Sequence, residues 1–324
     1  MRGWPDVPRA SPRAVLLALG LVAALCIALF MTLGVQGSWA FVLPFRAGKV
    51  ATMLLVACAI AVSTVLFQTA TGNRILTPAI MGFDSLYVLI QTCLVFFMGS
   101  AAMAAADRRL TFAGETAAMV LFSALLHWVL FSTARRSLHM LVLAGVVLGV
   151  LFRSLAAFLQ RVIDPNEFAF LQDRFFASFN NPHGGLLMVS ALAMLGAALL
   201  GLRAMRSWDV LALGRETAIG LGVAHRREVT RIMAIVAVLV SVSTALVGPV
   251  TFLGLLVANL AYAVMPSFRH VHVLPAAILL AVISLVGGQM LLERVFAFDT
   301  NLRVIIDFLG GLTFIALLLR GRVR

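Results

Sequence analysis

Apolar runs of about twenty residues follow one another along the whole chain, a pattern that a water-soluble fold does not sustain. They fall at 14–34, 48–69, 82–105, 114–132, 138–160, 184–205, 229–248, 250–265, 271–292 and 303–320. In a bilayer every backbone amide and carbonyl must find its partner within the protein, and runs of this length do so as helices. Strict two-residue alternation is absent, which argues against a membrane β-barrel. Composition agrees with lipid as the solvent. Of 324 residues, 62% are hydrophobic and 12% are charged, against about 25% charged in an ordinary soluble domain. The expectation is an all-α, polytopic membrane protein of about ten transmembrane helices, forming a single domain over residues 1–324.

One run differs from the rest. Residues 250–265 are short for a crossing, Gly248-Pro249 breaks the chain before them and Pro266 follows. A partial or bent helix, packed inside protein, is expected there. The run Ala14–Leu33, preceded by Arg2, Arg9 and Arg13, reads as a retained first helix rather than a cleaved signal peptide. Cys26, Cys58 and Cys93 lie within apolar runs at no metal-site spacing and read as small buried hydrophobes.

The net charge of +12 does not indicate nucleic acid, because the basic residues are spread over span ends rather than gathered on one soluble face. With the N-terminus in the cytoplasm, Arg2, Arg9, Arg13, Arg74, Arg135, Arg136, Arg203, Arg206, Arg215, Arg226, Arg227, Arg231, Arg269, Arg320, Arg322 and Arg324 fall inside. That bias has the sign of the positive-inside rule and puts both termini in the cytoplasm.

Two polar stretches interrupt the spans. Asp164-Pro165-Asn-Glu167 opens a helix on the outer side, with proline at the first position and acids in the first turn. Such a helix is either a gate or a connection resting on the membrane surface. The second stretch, 206–228, is cytoplasmic and rich in small and helix-forming residues, as a grip for a soluble partner would be. Within it Gly214, Ala218 and Gly222 recur every four residues, which would place them on one helix face flanked by Arg215 and Glu216.

No Gly-x4-Gly-Lys-Ser/Thr phosphate loop occurs, and Lys49, the single lysine, is followed by Val50. Energy from ATP would have to come from another chain. No catalytic constellation or cofactor motif stands out, and His270-x-His272 beside Arg269 reads as an interfacial pair rather than a metal site. Arg153 lies inside an apolar run, where a cation costs about 2.5–3.5 kcal/mol on insertion scales. It should therefore face the bundle interior, a water-filled pathway or a partner, sharing a face with Gln160, and either eases passage of an anion or caps carbonyls of a broken helix. Asp84 is the one plausible buried acid, which argues against an ion-coupled secondary transporter.

Four segments together resemble the iron-chelate and vitamin B12 class of ABC importer permeases, the FecCD-like proteins. They are Phe45-Arg46-Ala-Gly-Lys49, Gly72–Tyr87, Leu213-Gly214-Arg-Glu216-Thr-Ala218-x3-Gly222 and Gly248-Pro249-Val-Thr-Phe252-Leu-Gly254. The 72–87 loop departs from the commoner pattern and is most similar to the ferric-siderophore branch. This resemblance implies a type II importer permease in the cytoplasmic membrane, paired with a second copy or a sister permease. Cytoplasmic ATP-binding subunits would couple through Gly214, Arg215, Glu216, Ala218 and Gly222. An extracytoplasmic substrate-binding protein would dock at Arg46, Lys49 and Arg294. The cargo would be a ferric siderophore, or alternatively heme, cobalamin or another metal chelate, moving past Asp84, Arg153 and Gln160.

Overall fold

The computed structural model describes residues 11–34, 38–131, 138–175, 179, 184–295 and 302–319. Arg2, Arg9, Arg135, Arg136, Arg320, Arg322 and Arg324, used above for orientation, lie outside them. The described chain is built of helices: α1 (Pro12–Thr32), α2 (Trp39–Thr71), α3 (Phe83–Ala105), α4 (Arg108–Phe131), α5 (Leu138–Gln160), α6 (Pro165–Phe175) and α7 (Gly184–Leu202). Then follow α8 (Met205–Leu211), α9 (Arg215–Gly220), α10 (His225–Val247), α11 (Leu253–Val264), α12 (His270–Arg294) and α13 (Leu302–Leu319). Every apolar run carries a helix, and among the described residues 8 are long and apolar enough to cross a membrane.

Helices α2 and α10 form the middle of the bundle, packed on each other, with α12 and α11 against α2 and α4 and α7 against α10. Their burial is what an inner helix requires: 67% of the apolar window of α2 and 72% of that of α10 are covered by protein. Most of α5 faces outward, with Leu143, Val147 and Val150 exposed as a lipid-contacting surface would be. Helix α2 begins nine residues before the apolar run that marks it, at Trp39, and carries Pro44 in its second turn.

Two breaks shape the interior. The expected short helix is present as α11, 12 residues entered through Gly248, whose φ of 97° no residue with a Cβ adopts without strain. Helix α3 is interrupted at Gly99, φ 79°. The freed amide of Ser100 is taken up by the Glu167 carboxylate of α6, which also accepts from the Ser100 hydroxyl at 2.9 Å. That answers the freed donors of a helix start with an acid.

Before α3, a single 3-10 turn (Pro78–Met81) lies flat against α5. A Cβ on Gly145 would come within 2.8 Å of the Met81 Cα, and one on Gly149 within 3.1 Å of the Gly82 Cα. Glycines four apart let backbone touch backbone, the close approach by which small residues join helices in lipid.

Candidate functional site

Asp84 opens α3 beside the 3-10 turn, and its Oδ2 accepts a hydrogen bond from Thr251 Oγ1 at 3.1 Å. Thr251 sits in the break before α11, so the fracture of the α10–α11 segment is what presents it. Arg303, in the first turn of α13, donates to the same Thr251 oxygen at 3.4 Å, to the Phe175 carbonyl at the end of α6 at 3.1 Å and to Asp307 Oδ2 at 3.4 Å. Across the space stands Arg153 of α5, reaching Ser85 Oγ at 3.5 Å. Asp84, Ser85, Arg153, Pro249, Thr251, Phe252 and Arg303 line a cavity of about 550 Å³. Ile75, Ile80, Val88 and Leu255 complete a wall that is mostly apolar, set with one acid, two arginines and hydroxyls. A space of that kind orients a solute through a few placed polar groups.

Asp84 and Arg153 thus meet in one cavity, while Gln160 does not line it. Its amide donates instead to Thr92 Oγ1 of α3 at 3.0 Å, tying α5 to α3. Arg303, Thr251 and Asp307 were not singled out from sequence. The signal was there: an arginine and an acid four residues apart inside an apolar run share one inward helix face.

Helix α6 closes over this region. Besides Glu167 on Ser100 and Phe175 on Arg303, Arg174 Nη1 donates to Gln91 Oε1 at 2.9 Å, and Gln91 Nε2 donates to Glu115 Oε1 at 2.6 Å. Gln91 is fully buried and Glu115 nearly so. A buried carboxylate persists only when hydrogen-bonded and facing a cation, as here. Glu115 corrects the expectation that Asp84 is the one buried acid. Helix α6 is therefore fastened along its length rather than resting on the surface.

Where α1, α2 and α12 meet, Arg46, Lys49 and Arg294 all make contacts within the chain. Arg46 donates to the carbonyls of Phe30, Met31 and Leu33 at 2.8, 3.1 and 2.9 Å, closing the C-terminus of α1. Arg294 donates to the Leu33 carbonyl as well, rather than pairing with its neighbour Glu293. Lys49 is 6% exposed and lies 3.0 Å from Glu293 Oε1. A lysine buried in an ion pair offers no free charge at the rim in this structure. The three cations share a local task, holding α1, α2 and α12 together.

On the opposite side, α9 spans only Arg215–Gly220, so Gly214, Ala218 and Gly222 do not form one helix face. Gly214, φ 101°, and Gly222, φ 81°, are the turns that begin and end it. Ala218 is fully buried against the bundle. The outward surface is made by Leu213, Ile219 and Leu221, each more than half exposed, with Arg215 and Glu216 among them. The exposed apolar rim, not the small residues, is what a partner would meet. Beside it an open groove of about 690 Å³ is lined by Arg215, His225, Arg226 and Arg227.

His270 and His272 face different partners: His270 meets Asp209 and Thr69, and His272 Nδ1 lies 3.0 Å from Ser267 Oγ. Among the described residues no group of three or more His, Cys, Asp or Glu converges on a common point.

The family model described as the FecCD transport family matches residues 13–320. The chain belongs to that family. It is 46% identical over 306 residues to the petrobactin import system permease protein YclO of Bacillus subtilis, covering 94% of this chain and 96% of the relative. It is 33% identical to the petrobactin import system permease protein FatC of Bacillus anthracis, over 86% of this chain and 78% of that one. A solved structure of a metal-chelate type ABC transporter in an inward-facing conformation superposes with TM-score 0.81, covering 95% of this chain and 99% of the other at 21% identity. This likeness gives the fold, that of a type II ABC importer permease.

Proposed function

We propose that the chain is the membrane permease of an ABC importer that carries a ferric siderophore of the petrobactin class across the cytoplasmic membrane. The observation that carries the reading is near-full-length similarity to a petrobactin permease. The charged cavity between α3, α5, α11 and α13 supports it. Siderophore iron is wrapped in anionic oxygens, and Arg153 presents donors to that space with a long hydrogen bond to Ser85. Asp84 and Arg303 add charged groups to the same wall.

Two permeases, two copies or this chain with a sister, would enclose the pathway. A substrate-binding protein would deliver cargo at the rim formed by Arg46, Arg294 and their neighbours. Partner ATPases would seat on Leu213, Arg215, Glu216, Ile219 and Leu221, and both termini would be cytoplasmic. The permease carries no phosphate loop in its sequence, so hydrolysis belongs to those partners.

Reconstitution tests this. The permease, a partner ATPase and a petrobactin-binding protein are placed in proteoliposomes, and uptake of radio-iron petrobactin is followed. Uptake that requires both ATP and binding protein is expected. Accumulation down an ion gradient without ATP, or uptake of heme or cobalamin in place of the siderophore, would overturn it.

A further inference from the structure

Asp209, in α8 just before the coupling turn, is used by neither the cavity nor the exposed rim of α9. Its Oδ1 accepts from the His270 backbone N–H at 2.7 Å and lies 2.6 Å from His270 Nδ1. The other ring nitrogen, Nε2, is 2.8 Å from Thr69 Oγ1 in the last turns of α2. One imidazole therefore joins three helices: α8 through Asp209, α12 through its own backbone and α2 through Thr69.

Both ring nitrogens are held by oxygens, Nδ1 by the Asp209 carboxylate and Nε2 by the Thr69 hydroxyl, which also reaches the Val65 carbonyl at 2.9 Å. A hydrogen bond to a carboxylate is shorter and stronger than one between neutral groups. Burial protects these contacts: His270 is 3% exposed, and Trp208 at 1% packs edge-on against its ring with centroids 6.3 Å apart. Arg269 Nε lies 3.9 Å from Asp209 Oδ2 and places a guanidinium beside the same carboxylate.

The load path continues inward. Thr64 of α2 presses on α11, where a Cβ on Gly254 would meet Thr64 Oγ1. Helix α11 begins beside Thr251, which lines the cavity. At its outer end α2 is tied to α12 again through Lys49 and Glu293.

We propose that Asp209, His270 and Thr69 are positioning residues that transmit displacement of the α8–α9 segment into α12 and α2, keeping ATP hydrolysis and cargo movement in step. This rests on the docking of an ATPase at α9 proposed above. A cycle of variants tests the coupling. Cargo moved per ATP hydrolysed is measured in proteoliposomes holding the whole complex, for wild type, Asp209→Asn, His270→Gln, Thr69→Val, Thr69→Ser and the double variant Asp209→Asn with Thr69→Val.

Asp209→Asn, His270→Gln and Thr69→Val should each keep the ATPase bound and hydrolysing but lower cargo per ATP by about tenfold, within the usual range of coupling between sites. Thr69→Ser, which retains the hydroxyl, should match wild type. The double variant should be no worse than the poorer single one, because both cut the same link. An unchanged ratio, or losses that multiply in the double variant, would overturn the proposal. Failure of Thr69→Val to assemble would assign the joint to folding and overturn it as well. A wild-type permease that retains no ATPase would remove the docking reading and the strut with it. One that retains it while all variants keep the wild-type ratio removes the strut alone.

Discussion

Lys49 of α2 lies 3.0 Å from Glu293 of α12, joining helices whose sequence positions are 244 residues apart, with Gln289 donating to the same carboxylate oxygen at 3.0 Å. Phe45 adds its ring 5.0 Å from the Lys49 ammonium. A basic residue at a membrane edge thereby becomes an internal fastener.

Lys49→Met should destabilise the permease by about 3 kcal/mol, because it strands a mostly buried carboxylate. Lys49→Met combined with Glu293→Gln should recover most of that loss. Thermal unfolding in detergent reads both, and a double variant no better than the single one would contradict the pairing.

Glu167→Gln weakens the bond to the Ser100 amide at the Gly99 break, at a cost of about 1 kcal/mol, typical of a lost helix cap. The expected outcome is faster hydrogen exchange in α6 and in the second half of α3, with the rest of the bundle unchanged. Equal exchange in the two proteins would show that α6 is held by Arg174 and Arg303 alone.

Arg153→Ala should abolish uptake while membrane insertion and ATPase assembly persist, and Arg153→Lys should keep a part of the activity. Uptake assays beside co-purification separate the two effects. If assembly fails instead, Arg153 is holding α5 to α3 through Ser85 rather than meeting cargo.

Leu213→Ser with Ile219→Ser removes the apolar rim of α9 and should weaken ATPase co-purification by at least about tenfold, with the fold intact by circular dichroism. Gly214→Val acts differently. It forces a β-branched residue to φ 101°, a strain of about 1–3 kcal/mol that should misplace the whole short helix.

The helices were legible because lipid imposes a length and a polarity that local sequence records directly. Even the shortened α11 was marked by Gly248-Pro249 and Pro266. The pairing of their polar groups was not legible. Nothing local marks Glu115 as a buried partner; its setting is made by α3 and α6, which bring Gln91 and Arg174 to it. Arg46 read as a charge for a partner, yet its donors close the end of α1, a role set by where Leu33 falls in space. The four-residue spacing of Gly214, Ala218 and Gly222 implied a helix face, but Gly214 and Gly222 adopt positive φ and stop the helix instead. Periodicity presupposes the regular backbone that glycines are free to leave.

The gap between α10 and α11 has one more effect. The carbonyl end of α10 lies at Gly248 and the amide end of α11 at Leu253, on a wall that Pro249 and Phe252 share with the cavity. Aligned peptide groups leave roughly half an elementary charge at each such end. Unlike carboxylates and guanidinium groups, these poles neither titrate nor exchange salt-bridge partners. They hold a constant local field across acid and alkaline surroundings, so solutes of different net charge entering the cavity would all meet the same dipolar threshold.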